Sequence, residues 1–426
     1  MAYRGPMAGG MRTDAGARSL FGGPRRTRLP RVPLLLGPAL VAGVAYLDPG
    51  NVASNTAAGA AYGYLLVWVV VAANVIAWLV QYLSAKLGVV TGRSLPEHLG
   101  TRIRRPWARR AYWLQAELVA IATDVAEVIG GAVALNLLFG LPLAWGGLIT
   151  GAVSLLLLAV HARHGARMFE VVIIALVAVI AVGFVVGVVV APPAPGPMAA
   201  GLVPRFNGAG SVLLAASILG ATVMPHAIYA HSSLTRDRFA GSTHTAARLV
   251  RATRWDVTIA MTIAGAVNVC ILLLAAANVP HGTTTLNEAY DAIRASIGPI
   301  IATMFAVGLL ASGLASTAVG AYAGGEIMHG LLHVRVPLIA RRLVSLVPAL
   351  ALLMLGADPT RSLVLSQVVL SFGIPFALVP LVALTARREV LGAHRNHPVT
   401  TGLAVAAAAL LIVLNVALLW LTFRPA

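Results

Sequence analysis

The chain has 426 residues, of which 59% are hydrophobic and 11% charged, with a formal net charge of +17. A soluble domain carries roughly a quarter charged residues, so this composition excludes an ordinary globular fold. The basic excess lies between long apolar blocks, which argues against nucleic-acid binding, and the single cysteine, Cys270, excludes an internal disulfide and a thiolate cluster.

Residues 1–33 are rich in Arg, Gly and Pro and read as a disordered, basic, cytoplasmic tail. They do not read as a cleavable signal, because the apolar run that follows is too long and contains a break. From there on, apolar blocks of bilayer-spanning length predict an all-α polytopic membrane protein of about eleven spans. Their predicted bounds are 34–58, 65–90, 111–139, 144–161, 168–191, 210–234, 256–279, 297–328, 337–356, 361–386 and 399–422. Basic residues test the count. They crowd the tail and the second, fourth, sixth, eighth and tenth connections, for example Arg93 to Arg110, Arg163 with Arg167, and Arg335 with Arg341 and Arg342. The intervening connections are nearly uncharged or carry acids such as Glu288 and Asp291. By the positive-inside rule the N-terminus is cytoplasmic and the C-terminus outside. Among the basic residues Lys86 is the one lysine, and with abundant alanine this points to a high-GC bacterial genome.

Two spans are interrupted. Span 1 contains "GVAYLDPGNVASN" (43–55) and span 6 contains "SILGATVMPHAIYAHSS" (217–233). Broken helices in matching positions point to an inverted-repeat transporter with its site at the bilayer midplane. The expected division is a first five-helix repeat at 34–191, a second and inverted one at 210–386, and an additional helix at 399–422.

Asp48 is the leading candidate, since a carboxylate in the membrane core is costly and functional by default; the alternative is a structural cap on the second half-helix. Asn51 follows at i+3, and the unwound backbone adds carbonyls, so oxygen ligands converge there. Met224 beside Pro225 is either ordinary apolar packing or a thioether ligand, a soft donor that transition metals accept and Ca²⁺ and Mg²⁺ do not favour. His226 suits a proton carrier, or else bridges backbone groups at the break. In span 3, Glu117, Asp124 and Glu127 share one helical stripe, with Arg341 and Arg342 as candidate partners. That group is either a proton route or a static ion-pair network, and Glu117 near the cytoplasmic end leans toward the latter. Gln367 in span 10 is either a ligand or interhelical glue.

Together these residues resemble the Nramp family of proton-coupled divalent metal transporters, from about residue 34 to 420. The resemblance rests on "DPGN" in span 1, "MPH" followed by "HSS" in span 6, "ATDVAEVIG" in span 3, "GLLASG" with "GAYAGG" in span 8 and "SQVVLSFGIPFALVPL" in span 10. It implies a LeuT-like 5+5 inverted repeat and uptake of Mn²⁺, Fe²⁺ or similar ions with protons into the cytoplasm. It places metal ligands at Asp48, Asn51, the Ala221 carbonyl, Met224 and, in some conformations, Gln367. The family's proton route falls on His226, Glu127, Asp124 and the Arg341–Arg342 pair, with Glu117 on the same stripe. Ala227, Leu314 and Gly325 depart from residues common in the family. No cofactor is expected beyond the transported metal and proton, and the expected partners are those ions and the lipid bilayer, with a functional monomer. The alternative is a sodium-coupled amino-acid carrier on the same fold, which Asp48 and Met224 disfavour. An enzyme is not expected: HExxH and GxSxG patterns are missing.

Overall fold

The structure, a computed structural model, describes residues 37–423 apart from 165 and 335. The predicted tail, the first residues of span 1 and Arg335 lie outside the described residues, as do the side chains of Arg163 and Arg167. Among the described residues every regular element is helical. Long helices occur in the predicted order: Val67–Thr91, Pro106–Phe139, Leu143–His164, Ala166–Val190, Ala246–Asn278, Pro299–Leu332, Leu338–Met354, Pro359–Ala386 and Pro398–Phe423. Spans 1 and 6 are each two helices, Pro38–Val44 with Pro49–Tyr62 and Gly208–Thr222 with Pro225–Phe239.

By length and hydropathy alone, seven helical runs among the described residues can cross a bilayer, alongside shorter apolar helices at Pro38–Leu47, Leu143–Leu157 and Ile174–Val190. Spans 4 and 5 stand among the shorter helices through the described parts Leu143–Leu157 and Ile174–Val190 of longer helices, and two further differences from eleven are physical. The break shortens the first half of span 1, its second half runs on into span 2 as Pro49–Thr91, and span 9 has 17 residues.

The sequence bounds need correction at two places. Spans 3 and 7 begin at Pro106 and Ala246, well before the predicted 111 and 256. Their basic first turns lie outside the apolar block yet continue the helix, since Arg and Ala are good helix formers. The connections also hold helices that hydropathy does not mark. Leu95–Arg102 and Leu286–Ser296 each start at a capping box, Ser94 with Glu97 and Thr285 with Glu288. Exposed Glu288 accepts the N–H groups of Thr284 and Thr285, which hold its carboxyl below the usual range.

Span 10 carries Pro375 and Pro380 inside the helix. A proline cannot donate to the carbonyl four residues back, which frees those of Ser371 and Phe376. Asn415 of span 11 donates to the Ser371 carbonyl at 2.9 Å, and the Tyr112 hydroxyl of span 3 donates to that of Phe376. Two kinks in one helix are thus clipped to two neighbours. Where spans 3 and 8 cross, backbones meet closely: a side chain at Gly313 would stand 3.0 Å from the Glu127 carbonyl oxygen.

Candidate metal centre and its charged flank

Breaking a helix in a bilayer releases backbone groups that water cannot reach, so each must find a partner. At the first break the chain tightens into a 3₁₀ turn, Ala45–Leu47, before Asp48 turns extended at φ −70, ψ 166. The Tyr46 carbonyl accepts from Asn268 Nδ2 at 3.0 Å, and the Leu47 carbonyl accepts from the Ser312 hydroxyl. Asp48 then caps the second half-helix: its Oδ1 accepts the backbone N–H of Asn51 at 2.7 Å. At the second break Val223 leaves the helix at φ −105, ψ 63, and Met224 turns extended at the N-cap position before Pro225 with no side-chain cap.

Asn51 joins the two breaks. Its amide nitrogen donates to Asp48 Oδ1 at 2.8 Å and to the Ala221 carbonyl at 2.8 Å, while Thr222 Oγ1 donates to its Oδ1 at 3.1 Å. A partly positive NH₂ group therefore sits between two oxygens from different halves of the chain. Gln367 closes a third side, with Nε2 3.4 Å from Asp48 Oδ2, and its buried Oε1 has no hydrogen-bond partner. Glycine makes this approach feasible: a Cβ on Gly50 would overlap the Gln367 side chain, and one on Gly220 would overlap the Gln367 carbonyl. Asp48, Asn51, Ala221, Met224 and Gln367 are all fully buried. Hydrogen bonds link Asp48, Asn51, Ala221 and Gln367 directly; Met224 shares the second break, where its backbone carbonyl accepts the Ile228 N–H at 3.3 Å.

The donor chemistry is one carboxylate, two side-chain amides, a backbone carbonyl and a thioether. No group of three or more His, Cys, Asp or Glu residues suited to a metal occurs among the described residues. Such a set is mixed and mostly neutral, as expected for an ion held only transiently.

The charged stripe of span 3 lies beside this centre. Arg342, fully buried, donates from Nη1 to Asp124 Oδ1 at 2.6 Å and to Glu127 Oε2 at 3.2 Å. Its other nitrogens reach Ser154 Oγ and Thr317 Oγ1. Arg341 pairs with Glu117 at 3.0 Å and lies 3.8 Å from Asp124. Glu127 Oε1 is buried without a partner. Both carboxylates and both arginines expected from sequence thus meet, and Glu117 joins the same ion-pair group. His226 makes no ion pair with them, although it lies within range of the Asp124 and Arg341 charges: its Nδ1 is 3.3 Å from Thr123 Oγ1, with Nε2 unpartnered.

Sequence reasoning passed over the neutral residues that hold these groups in place, Thr222, Asn268, Ser312, Thr317, Ser154 and Thr123. The available signal was the polar side chain inside an apolar span, which must be bonded somewhere. That signal is strongest for Asn268 and weak for serine and threonine, which can return a bond to their own helix.

An all-α membrane bundle with two broken helices meeting at a buried polar centre defines a class, the secondary transporters of LeuT-like fold. The solved structure of MhsT with L-phenylalanine shares that fold at a TM-score of 0.59 and 13% identity, covering 94% of this chain and 99% of that one. Within the class, the natural resistance-associated macrophage protein-like (Nramp) family model matches residues 39–421, and the chain belongs to the Nramp family. The divalent metal cation transporter MntH of Mycobacterium tuberculosis is 60% identical over 401 residues, covering 93% of this chain and 94% of that protein. The crystal structure of the Eremococcus coleocola manganese transporter is similar at a TM-score of 0.81 and 29% identity, covering 92% of this chain and 88% of that one.

Proposed function

We propose that the chain imports divalent transition-metal ions, Mn²⁺ or Fe²⁺ with Cd²⁺ and Co²⁺ as further cargo, together with protons by alternating access. The observation that carries this reading is the Asn51 amide held between Asp48 Oδ1 and the Ala221 carbonyl. A cation arriving there replaces a neutral donor with a full charge, and the Asn51 side chain turns its own oxygen inward. Asp48 supplies the one negative charge, and Met224 adds the soft contact that separates transition metals from Ca²⁺ and Mg²⁺. Gln367, whose Oε1 has no partner, supplies a further oxygen as span 10 moves.

Protons take the charged flank. Glu127 has one oxygen bonded to Arg342 and one without a partner, so it can accept a proton on Oε1 and keep the Arg342 hydrogen bond at Oε2, while the charge of the pair is lost. His226, Asp124, Glu117 and the two arginines complete the route. The two five-helix repeats, 34–191 and 210–386, rock about this centre in the bacterial cytoplasmic membrane, with the N-terminus inside, the C-terminus outside and a monomer as the working unit. The sodium-coupled amino-acid alternative is disfavoured by Asp48, whose carboxylate already takes the helix N-terminus that a substrate carboxylate needs.

The test is Mn²⁺ uptake into proteoliposomes containing a pH dye. Saturable uptake with interior acidification, insensitive to sodium, is expected. Sodium-dependent amino-acid uptake without metal transport would overturn the reading.

A further inference from the structure

The two neighbouring arginines are held in different ways. Arg342 makes directional hydrogen bonds to Ser154, Asp124, Glu127 and Thr317. Arg341 is almost as buried, yet none of Nε, Nη1 or Nη2 has an acceptor in hydrogen-bond geometry. It is tied mainly by charge, to Glu117 at 3.0 Å and Asp124 at 3.8 Å. Coulomb attraction fixes distance and hardly fixes orientation, so the shape of the wall must place this guanidinium.

That wall is Gly324. A Cβ there would overlap Arg341 Cζ, Nε and Nη1, so the planar group lies directly on the span 8 backbone. One turn earlier on span 8, a Cβ on Gly320 would stand 3.1 Å from Glu127 Oε1 and 3.7 Å from Asp124 Oδ1. Thr317, on the same face, accepts from Arg342.

We infer that Gly324 is a positioning residue for proton coupling: its bare backbone seats Arg341 where the guanidinium is shared between Glu117 and Asp124. This inference rests on the proposed metal–proton transport. Arg341 then compensates Asp124 in its charged form and yields toward Glu117 when Asp124 takes a proton, while Arg342 stays fixed. The charged and titratable groups around Arg341 are Glu117 and Asp124 from span 3, His226 from span 6, whose ring lies within reach of its field, and Arg342 beside it. Any side chain at 324 evicts the guanidinium from the Asp124 side.

The test is a double-mutant cycle in proteoliposomes, with Mn²⁺ uptake and interior acidification read together across a pH series. Gly324→Ala is expected to lower protons moved per Mn²⁺ about fivefold and to displace the pH profile, while Mn²⁺ affinity in detergent stays within about twofold of the parent. Gly308→Ala, on the same helix and facing only the Phe184 ring, controls for a generic glycine effect and should match the parent. In an Arg341→Ala background, Gly324→Ala should add nothing, because the group it displaces is gone. Should Gly324→Ala fail to fold, Gly324→Ala/Arg341→Ala should fold as Arg341→Ala does. A full extra effect in the Arg341→Ala background, an unchanged proton ratio in Gly324→Ala, or a double variant that also fails to fold overturns the inference. A parent that carries Mn²⁺ without protons fails differently, removing the proton-coupled reading itself.

Discussion

The chain places an Asp-Pro pair at two helix starts, Asp48–Pro49 and Asp358–Pro359. Both aspartates are extended N-caps with proline in the first turn, and each accepts the backbone N–H three residues on, at 2.7 and 2.6 Å. Locally they are the same device. Asp358 is exposed at the start of span 10, where water shares its charge. Asp48 has no exposed surface, and besides the cap it meets the Asn51 side chain and approaches Gln367. A cap explains Asp358 completely. It accounts for one bond of Asp48 and leaves the burial of a carboxylate at mid-membrane, costing several kcal/mol, without a structural return. The proposed metal site would account for that surplus.

The largest expected effect separates cap from ligand. Serine caps helices nearly as well as aspartate, so Asp48→Ser should retain a folded protein while Mn²⁺ uptake drops to the level of empty liposomes. Asp358→Ser should transport as the parent does. Asn51→Ala, losing a neutral ligand, should weaken Mn²⁺ about tenfold, or roughly 1.4 kcal/mol. Near-parental uptake by Asp48→Ser would reduce Asp48 to the role of Asp358.

Next comes the flank. Glu127→Gln keeps the size of the side chain and removes its titration, so metal-driven acidification should fall several-fold more than Mn²⁺ binding. Calorimetry on the detergent-solubilised variant alongside dye-reported proton flux makes the comparison. Equal losses in both would make the stripe a static ion-pair network.

The second break sharpens the contrast further, since Met224 stands at an N-cap without capping. Met224→Ala leaves only oxygen ligands, which hard ions accept well. Cd²⁺ affinity should fall about tenfold, Mn²⁺ less, and Ca²⁺ should begin to compete. A competition panel on uptake reads this directly, and unchanged selectivity assigns Met224 to packing.

How much of this was legible in the sequence follows from which interactions are local. Both breaks were, because Pro49, Gly50 and Pro225 disfavour continuation of a helix from the residues before them. The Glu117–Asp124–Glu127 stripe was, because helical periodicity alone puts those residues on one face, and Arg341 and Arg342 supplied the matching charge. The contact between Asn51 and the Ala221 carbonyl depends on how two distant helices pack, and nothing in either segment encodes it. Thr317 and Ser154 around Arg342 are hidden for the same reason. Span ends were misjudged where helix and membrane do not coincide: Arg109 and Arg110 are helical and outside the apolar block. The kinks of span 10 were visible as prolines, whereas their clips, Tyr112 and Asn415, belong to other helices. Asn415→Ala should therefore leave the Ser371 carbonyl without its donor and cost about 1–3 kcal/mol, read as a lower thermal midpoint in detergent.

The smallest effect returns to the exposed cap. Asp358→Ala removes the bond to the Arg361 N–H and leaves that group to water, which is present at an exposed helix end. Losing an N-cap there costs about 1 kcal/mol, and the loss should stay local because Pro359 still presets the first turn. Amide hydrogen exchange should report faster opening over the first turn of span 10, near Thr360 to Ser362, with the Gln367 region unchanged and Mn²⁺ uptake parental. The comparison with Asp48 makes this informative. If fraying at Asp358 instead propagated along span 10 and reduced uptake, the N-terminal end of span 10 would be coupled to Gln367. The two Asp-Pro caps, one on span 1 and one on span 10, would then act on the same site, and burial would no longer be what divides them.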